Sequence, residues 1–160
     1  MSGNGFTTCL WFDDNAEAAA DYYVSVFKDG RLGRISRYTD AGPGPVGSVM
    51  VVEFEINGQK FVGLNGGPLF HFSEAISFQI HCESESESDH YYDELTKDGG
   101  EESACGWVKD KFGLSWQVIP PGAIDLVSDP DPGRAARATA AMLKMKKLDV
   151  AEMRRAADAA

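Results

Sequence analysis

An internal repeat limits the folds open to this chain. Tyr22-Tyr23 leads, five residues after Tyr23, into Lys28-Asp29-Gly30, and Tyr91-Tyr92 leads in the same way into Lys97-Asp98-Gly99, at one offset of 69 residues. Leu10 and Phe12 recur as Phe78 and Ile80 at an offset of 68. The elements around both copies come in the same order, so the chain reads as a duplicated supersecondary unit.

Phe6 to Phe12 (FTTCLWF) is β-branched and aromatic, and predicts a strand. Asp14-Asn15-Ala16-Glu17 supplies a capping side chain with an acid three residues on. Ala16, Ala19, Ala20, Tyr23 and Phe27 follow at helical spacing, up to Gly30. Strands over 31–38 and 48–56 flank a Gly/Pro loop, and Asn57-Gly58 joins the latter to 59–65 as a hairpin. The second copy begins with a strand over 75–82 and a helix from the capping pattern Ser86-Glu87-Ser88-Asp89 to about Asp98. Short strands follow near 102–105, 107–110 and 114–119. Each half therefore reads β-α-β-β-β.

Beyond Pro120-Pro121 the character changes. Asp131-Pro132 and Asp149 with Glu152 open two helices, striped by Ala135, Ala138, Met142 and Met145 and then by Val150, Met153 and Ala157. Such Ala-rich stripes are too thin for a core of their own, so the helices are expected to lie on something else. The division is a paired domain over 1–121, with units about 5–67 and 74–121, and a C-terminal helical extension over 122–160.

Charge narrows the partners. A net charge of −10 and a pI near 4.7 disfavour nucleic acid. The tail from Arg134 onward carries +4, which leaves −14 on residues 1–133, so the tail is expected to dock on an acidic body, its own or a partner subunit's. No run approaches the roughly 18 apolar residues of a membrane span. Met1 to Gly5 lacks the basic start and apolar core of a secretory signal. Cys9, Cys82 and Cys105 are too few and too far apart for a disulfide framework, so free thiols and a cytoplasmic protein are expected.

Four stretches carry a resemblance: CLWFDDNAEAAADYY at 9–23, GLNGGPLFHFSEAISF at 63–78, CGWVKDKFGLSWQVIP at 105–120 and DPDPGRAARATAAMLKMKKLD at 129–149. In these the chain resembles the PhnB-like (demethylubiquinone methyltransferase-like) branch of the glyoxalase/bleomycin resistance/dioxygenase superfamily, the vicinal oxygen chelate proteins. The resemblance implies an α+β fold in which two βαβββ units form a curved mixed sheet around a central cup, with the C-terminal helices added. It also implies a homodimer, because members commonly pair subunits.

Metal-using relatives draw four ligands from the first and fourth strands of each unit. The matching positions here are Thr7, Gly63, Ala75 and Gln117, with Gln117 where those relatives carry a Glu. None is an acid or an imidazole, so the site is expected to be metal-free and without a cofactor. Side chains alternate faces along a strand. With Leu10, Phe12, Val62, Leu64, Phe78, Ile80, Trp116 and Val118 set against the helices, the cup receives Thr7, Cys9, Phe61, Gly63, Asn65, Ser77, Gln79 and Gln117, and Trp107 supplies further apolar contact. These are the candidate ligand-binding residues; no catalytic residue is assigned.

Other chemistry-bearing groups have plainer readings. His71 and His90 show no ligand spacing, and His81 reads as a polar rim residue. Cys9 and Cys105 read as packing residues rather than nucleophiles. Asp110 and Lys111 read as a turn cap or an ion pair. GPGPVG at 42–47 sits between antiparallel strands, where it is a hairpin loop and not an anion-binding strand-to-helix turn. The leading expectation is a metal-independent binder of a small molecule. The alternatives are a metal-dependent lyase or transferase of glyoxalase or dioxygenase type, and a structural or regulatory dimer.

Overall fold

The computed structural model describes residues 5–159. It divides into two compact units, one reaching His71 and one starting at Phe72. The first contains β1 (Thr8–Phe12), α1 (Ala16–Val26), β2 (Arg31–Arg37), β3 (Val49–Ile56) and β4 (Gln59–Asn65). Its strands lie in the order β1-β4-β3-β2, with β1 parallel to β4 and the other pairs antiparallel. One face of this open sheet is covered by α1. Ala16, Ala19 and Ala20 bury completely there and allow close approach, while Tyr23 stacks on Phe54 at 5.9 Å. The hairpin forms at Asn57-Gly58, whose φ values of +51° and +75° are those of a type I′ turn.

The second unit repeats the order: β5 (Ser77–His81), α2 (Glu85–Thr96), β6 (Glu101–Glu102), β7 (Trp107–Lys109) and β8 (Ser115–Ile119), arranged β5-β8-β7-β6. Again the first and fourth strands are parallel. The repeat is also visible in the backbone. Asp29 and Asp98 take left-handed φ values of +53° and +52°. A Cβ on Gly30 would sit 2.2 Å from the Val24 carbonyl oxygen, and one on Gly100 2.1 Å from that of Leu95. Gly30 and Gly100 each press on the last turn of the preceding helix, where a side chain would not fit. The cap of α2 lies two residues before the expected pattern. Ser84 Oγ accepts from Glu87 N at 3.1 Å, and Glu87 Oε2 accepts from Glu83 N at 3.2 Å.

After β8 come α3 (Ala123–Val127), which the sequence pattern did not announce, α4 (Pro132–Met142) and α5 (Val150–Asp158). Asp131 and Asp149 cap α4 and α5 through Gly133 N at 2.8 Å and Glu152 N at 2.9 Å. Contrary to expectation, these helices do build a core, from Ala123, Leu126, Ala138, Val150, Met153 and Ala157, with Ile119 and Leu148 against it. Leu126 and Met153 fill the space that the alanines leave, and α3 supplies the missing third side. Arg137 locks the end of α5 by donating from Nε and Nη2 to Ala157 O at 3.0 and 2.7 Å. The α4–α5 connection straps the unit: Met145 O and Lys146 O accept from Cys105 N and Gly106 N at 2.8 and 2.7 Å. Lys147 pairs with Asp89 at 2.5 Å, so part of the basic tail does meet acids of its own unit. The stripe residues pack within the chain: Ala138, Val150, Met153 and Ala157 are buried, and Met142 and Met145 rest half-buried against them. Among the described residues, no helix is long and apolar enough to cross a membrane.

Candidate functional site

Each sheet has one face under its helix and one face turned away from it, called open below. On the first sheet the strand registers decide which residues are which. Leu10 pairs with Gly63 and Phe12 with Asn65, while Cys9 pairs with Val62 and Trp11 with Leu64. Leu10 and Phe12 are buried, so Gly63 and Asn65 share the helix face. Phe61, 3% exposed, stacks on Phe54 at 5.3 Å. A Cβ on Gly63 would meet the Ala16 Cβ at 3.1 Å. Asn65 Oδ1 accepts from Ala16 N at 2.8 Å, and its Nδ2 donates to Val49 O at 3.1 Å.

The expected β4 assignment is therefore reversed. Phe61, Gly63 and Asn65 belong to the core side, and Val62 and Leu64 take the open face. The physical reason is the hairpin register. Asn57-Gly58 pairs Phe54 with Phe61 and Val52 with Gly63, and cross-strand partners share a face. Val52, Phe54 and Ile56 are buried, so Phe61 must be buried with them. The turn and the β3 alternation were both legible, and together they carried this signal. Asn65 also does what the Asp14–Glu17 box was expected to do, since Asn15 makes no side-chain cap.

The open face of the first sheet carries Cys9, Trp11, Val62 and Leu64. Glu53 and Glu55 of β3 stand beside them, tied to Arg34 at 2.9 Å and Arg31 at 2.8 Å. Thr7 is exposed just ahead of β1. Cys9 is exposed rather than buried, yet partial burial of its thiol raises the pKa, which disfavours the thiolate. Trp11 donates from Nε1 to Gly67 O at 2.8 Å and meets Phe70 edge-on. A depression of about 300 Å³ is bordered by Thr7, Glu53, Lys60 and Val62.

On the second sheet Ile80, Val108, Trp116 and Val118 are buried. Ser77, Gln79, Ser115, Gln117, Trp107 and Lys109 take the open face through the registers Ser77–Ser115, Gln79–Gln117, Trp107–Gln117 and Lys109–Ser115. Three expected residues form one hydrogen-bonded group. Gln79 Nε2 donates to Gln117 Oε1 at 3.3 Å, and Gln117 Nε2 donates to Ser77 Oγ at 2.9 Å. Trp107, half-buried, lies directly across from Gln117. Beside this group Lys109 Nζ holds Glu74 Oε1 at 2.6 Å. That bond depresses the Glu74 pKa and raises that of Lys109. Neither Glu74 nor Lys109 stood out in the sequence, because a charged residue at a strand edge is ordinary.

The metal site of the relatives that the chain resembles can be tested against these positions. Gly63 faces α1, Val62 and Leu64 offer no donor atom, and both ends of the Gln117 amide are engaged within the face. Among the described residues no group of three or more His, Cys, Asp or Glu is placed to hold a metal ion. The residues present do not fit the metal. His71, His81 and His90 are all exposed. Asp110 is a buried turn cap: Oδ1 accepts from Phe112 N at 2.8 Å and Leu114 N at 3.1 Å, and Oδ2 accepts from Trp116 Nε1 at 2.8 Å.

Comparison with known proteins agrees with this architecture. A family model described as 3-demethylubiquinone-9 3-methyltransferase matches residues 4–119. The PhnB protein of Bacillus cereus is 34% identical, with a TM-score of 0.66 over 72% of this chain and 98% of that one. Protein PA1353 of Pseudomonas aeruginosa, at 18% identity, shares the fold with a TM-score of 0.57 over 69% of this chain and 92% of its own. The fosfomycin resistance protein FosX of Mesorhizobium loti, at 16% identity, does so with a TM-score of 0.50 over 72% and 90%. No curated protein matches the chain.

Proposed function

The chain belongs to the 3-demethylubiquinone-9 3-methyltransferase family, PhnB-like within the glyoxalase/bleomycin resistance/dioxygenase superfamily, and on that premise we propose that it binds a small organic molecule without a metal. The observation that carries this reading is the Ser77–Gln117–Gln79 group beside Trp107. A few convergent polar groups next to an aromatic plate are what orients a small ligand. Residues 1–121 are the binding domain in this reading, and 122–160 its helical extension. Of the expected set, Thr7, Cys9, Ser77, Gln79, Trp107 and Gln117 remain ligand candidates.

The family description names a methyltransferase, but the reading does not include methyl transfer. β1 enters α1 through Asp13-Asp14-Asn15, and β5 enters α2 through Cys82-Glu83-Ser84, neither with a glycine. A thermal-shift panel of neutral small molecules on the full chain tests the binding reading. A ligand at a hundred times its Kd adds about 2.7 kcal/mol, or roughly 5–10 °C at this chain length. At least one compound should give such a shift, and Trp107→Ala should abolish it. A panel without a hit, or hits indifferent to Trp107, would refute the reading.

Two further expectations belong here. The homodimer is supported by the superfamily and by the exposed apolar Leu69 and Phe70, 72% and 57% exposed. Sedimentation equilibrium at micromolar concentration should give twice 17.4 kDa; a mass near 17.4 kDa would refute it. The cytoplasm is supported by three free thiols, one of them exposed. Localisation of a tagged full chain in fractionated cells checks this.

A further inference from the structure

Lys109 does not pair with the acid directly across from it in the sheet. Its cross-strand partner on β6 is Glu101, placed where opposite charges on neighbouring strands ordinarily meet. The Lys109 ammonium instead bonds Glu74 Oε1 at 2.6 Å. Glu74 lies three residues ahead of β5, so the bond reaches across β8. Ser115, in register with Lys109 on β8, is only 1% exposed. The charge is thereby carried onto the open face, in the row Lys109–Ser115–Ser77, next to the row Trp107–Gln117–Gln79. Lys109 and Trp107 stand two residues apart on β7, about 7 Å. That is close to the span from the middle of an aromatic ring to a cation held by a carboxylate on that ring.

Glu74 is a loosely placed partner. It belongs to the turn before β5 and not to the sheet, and its side chain is 61% exposed against 37% for Lys109. An ion pair this exposed contributes little to folding and opens readily. Resting on the binding reading above, we propose that the ligand of this face is an aromatic carboxylate, and that Glu74 is its internal stand-in on Lys109. The ligand's ring rests on Trp107 and its carboxylate displaces that of Glu74, so the ammonium exchanges one anion for another and is never left bare. A neutral ring seats on Trp107 as well, more weakly, because it gains nothing from Lys109.

Benzoate and benzamide have one shape and differ in charge. Each is titrated into the isotope-labelled full chain, with occupancy read from the Trp107 indole signal and the Lys109 side-chain signals. A bond of exposed-pair strength keeps Glu74 on Lys109 about four-fifths of the time, so removing it should tighten benzoate about fivefold. Glu74→Gln should produce that gain and leave benzamide within about twofold. Glu101→Gln removes an equal charge beside Lys109 but not the stand-in, and should change benzoate by less than about twofold. Adding Lys109→Met to Glu74→Gln should erase the gain. Glu74→Ala repeats the test if the glutamine variant fails to fold. Benzoate binding indifferent to Glu74→Gln, or tightened as much by Glu101→Gln, would overturn the inference, while the binding reading stands on the benzamide shift at Trp107. If neither probe shifts Trp107 in any variant, both fall.

Discussion

Asn65 should show itself through stability and not through ligand affinity. Its side chain joins the first turn of α1 to β3, by Oδ1 accepting from Ala16 N at 2.8 Å and Nδ2 donating to Val49 O at 3.1 Å. Asn65→Ala removes a helix cap, about 1 kcal/mol, and one further hydrogen bond, about 1 kcal/mol. The Tyr38 hydroxyl still donates to Asn65 O at 2.6 Å, because that bond uses the main chain. The expected loss is about 2 kcal/mol, or a fall in Tm of about 4–8 °C for a chain of this length. Asn65→Asp keeps the acceptor and places a favourable charge at the helix N-terminus. It loses the donor and sets an anion against the Val49 carbonyl, for a net cost of about 1 kcal/mol. Urea unfolding followed by circular dichroism and tryptophan fluorescence should rank the variants Asn, Asp, Ala, with the m-value unchanged. An Ala variant within about 0.5 kcal/mol of the parent, the size of an ordinary surface change, would show that Asn65 is no clamp.

On β8, Trp116→Ala should cost roughly 3–5 kcal/mol, while Gln117→Ala, one residue on and facing the other way, should cost no more than about 1 kcal/mol; reversed costs in chemical denaturation would invert the face assignment. Glu74 has its carboxyl pKa held below the ordinary value by the bond from Lys109, so its contribution is present at neutral pH and is lost as pH falls through the depressed pKa. The Tm gap between the parent and Glu74→Gln should narrow steadily as the pH falls below the ordinary carboxylate range, and a gap that does not narrow with acid would mean the residue acts other than through its charge. Met153 is fully buried among the tail helices, so Met153→Ala should cost about 2–5 kcal/mol in unfolding of the second unit; a neutral result would deny these helices a core.

Order and local geometry could be read directly from the chain. The doubled β-α-β-β-β order, the Asn57-Gly58 hairpin, the Asp131 and Asp149 caps and the faces of β5 and β8 all arise from spacings of one to four residues. Over such distances, side-chain period and turn chemistry leave few alternatives. Longer reach was decided by assembly. The expected face of β4 is the wrong one because apolar residues occupy both its sides, Phe61 on one and Val62 and Leu64 on the other, and only the pairing to β3 decides between them. Asn65 reads as a ligand group in the sequence, and becomes a cap only when the first turn of α1, 49 residues away, arrives beside it. The tail shows the same division. Alanine at helical spacing announces a small side chain but not its neighbour, and Leu126, Leu148 and Met153 close that core only after three helices and a strap have converged. Periodicity dictates which side of an element is apolar, whereas hydrogen bonding and packing between distant elements dictate what that side meets.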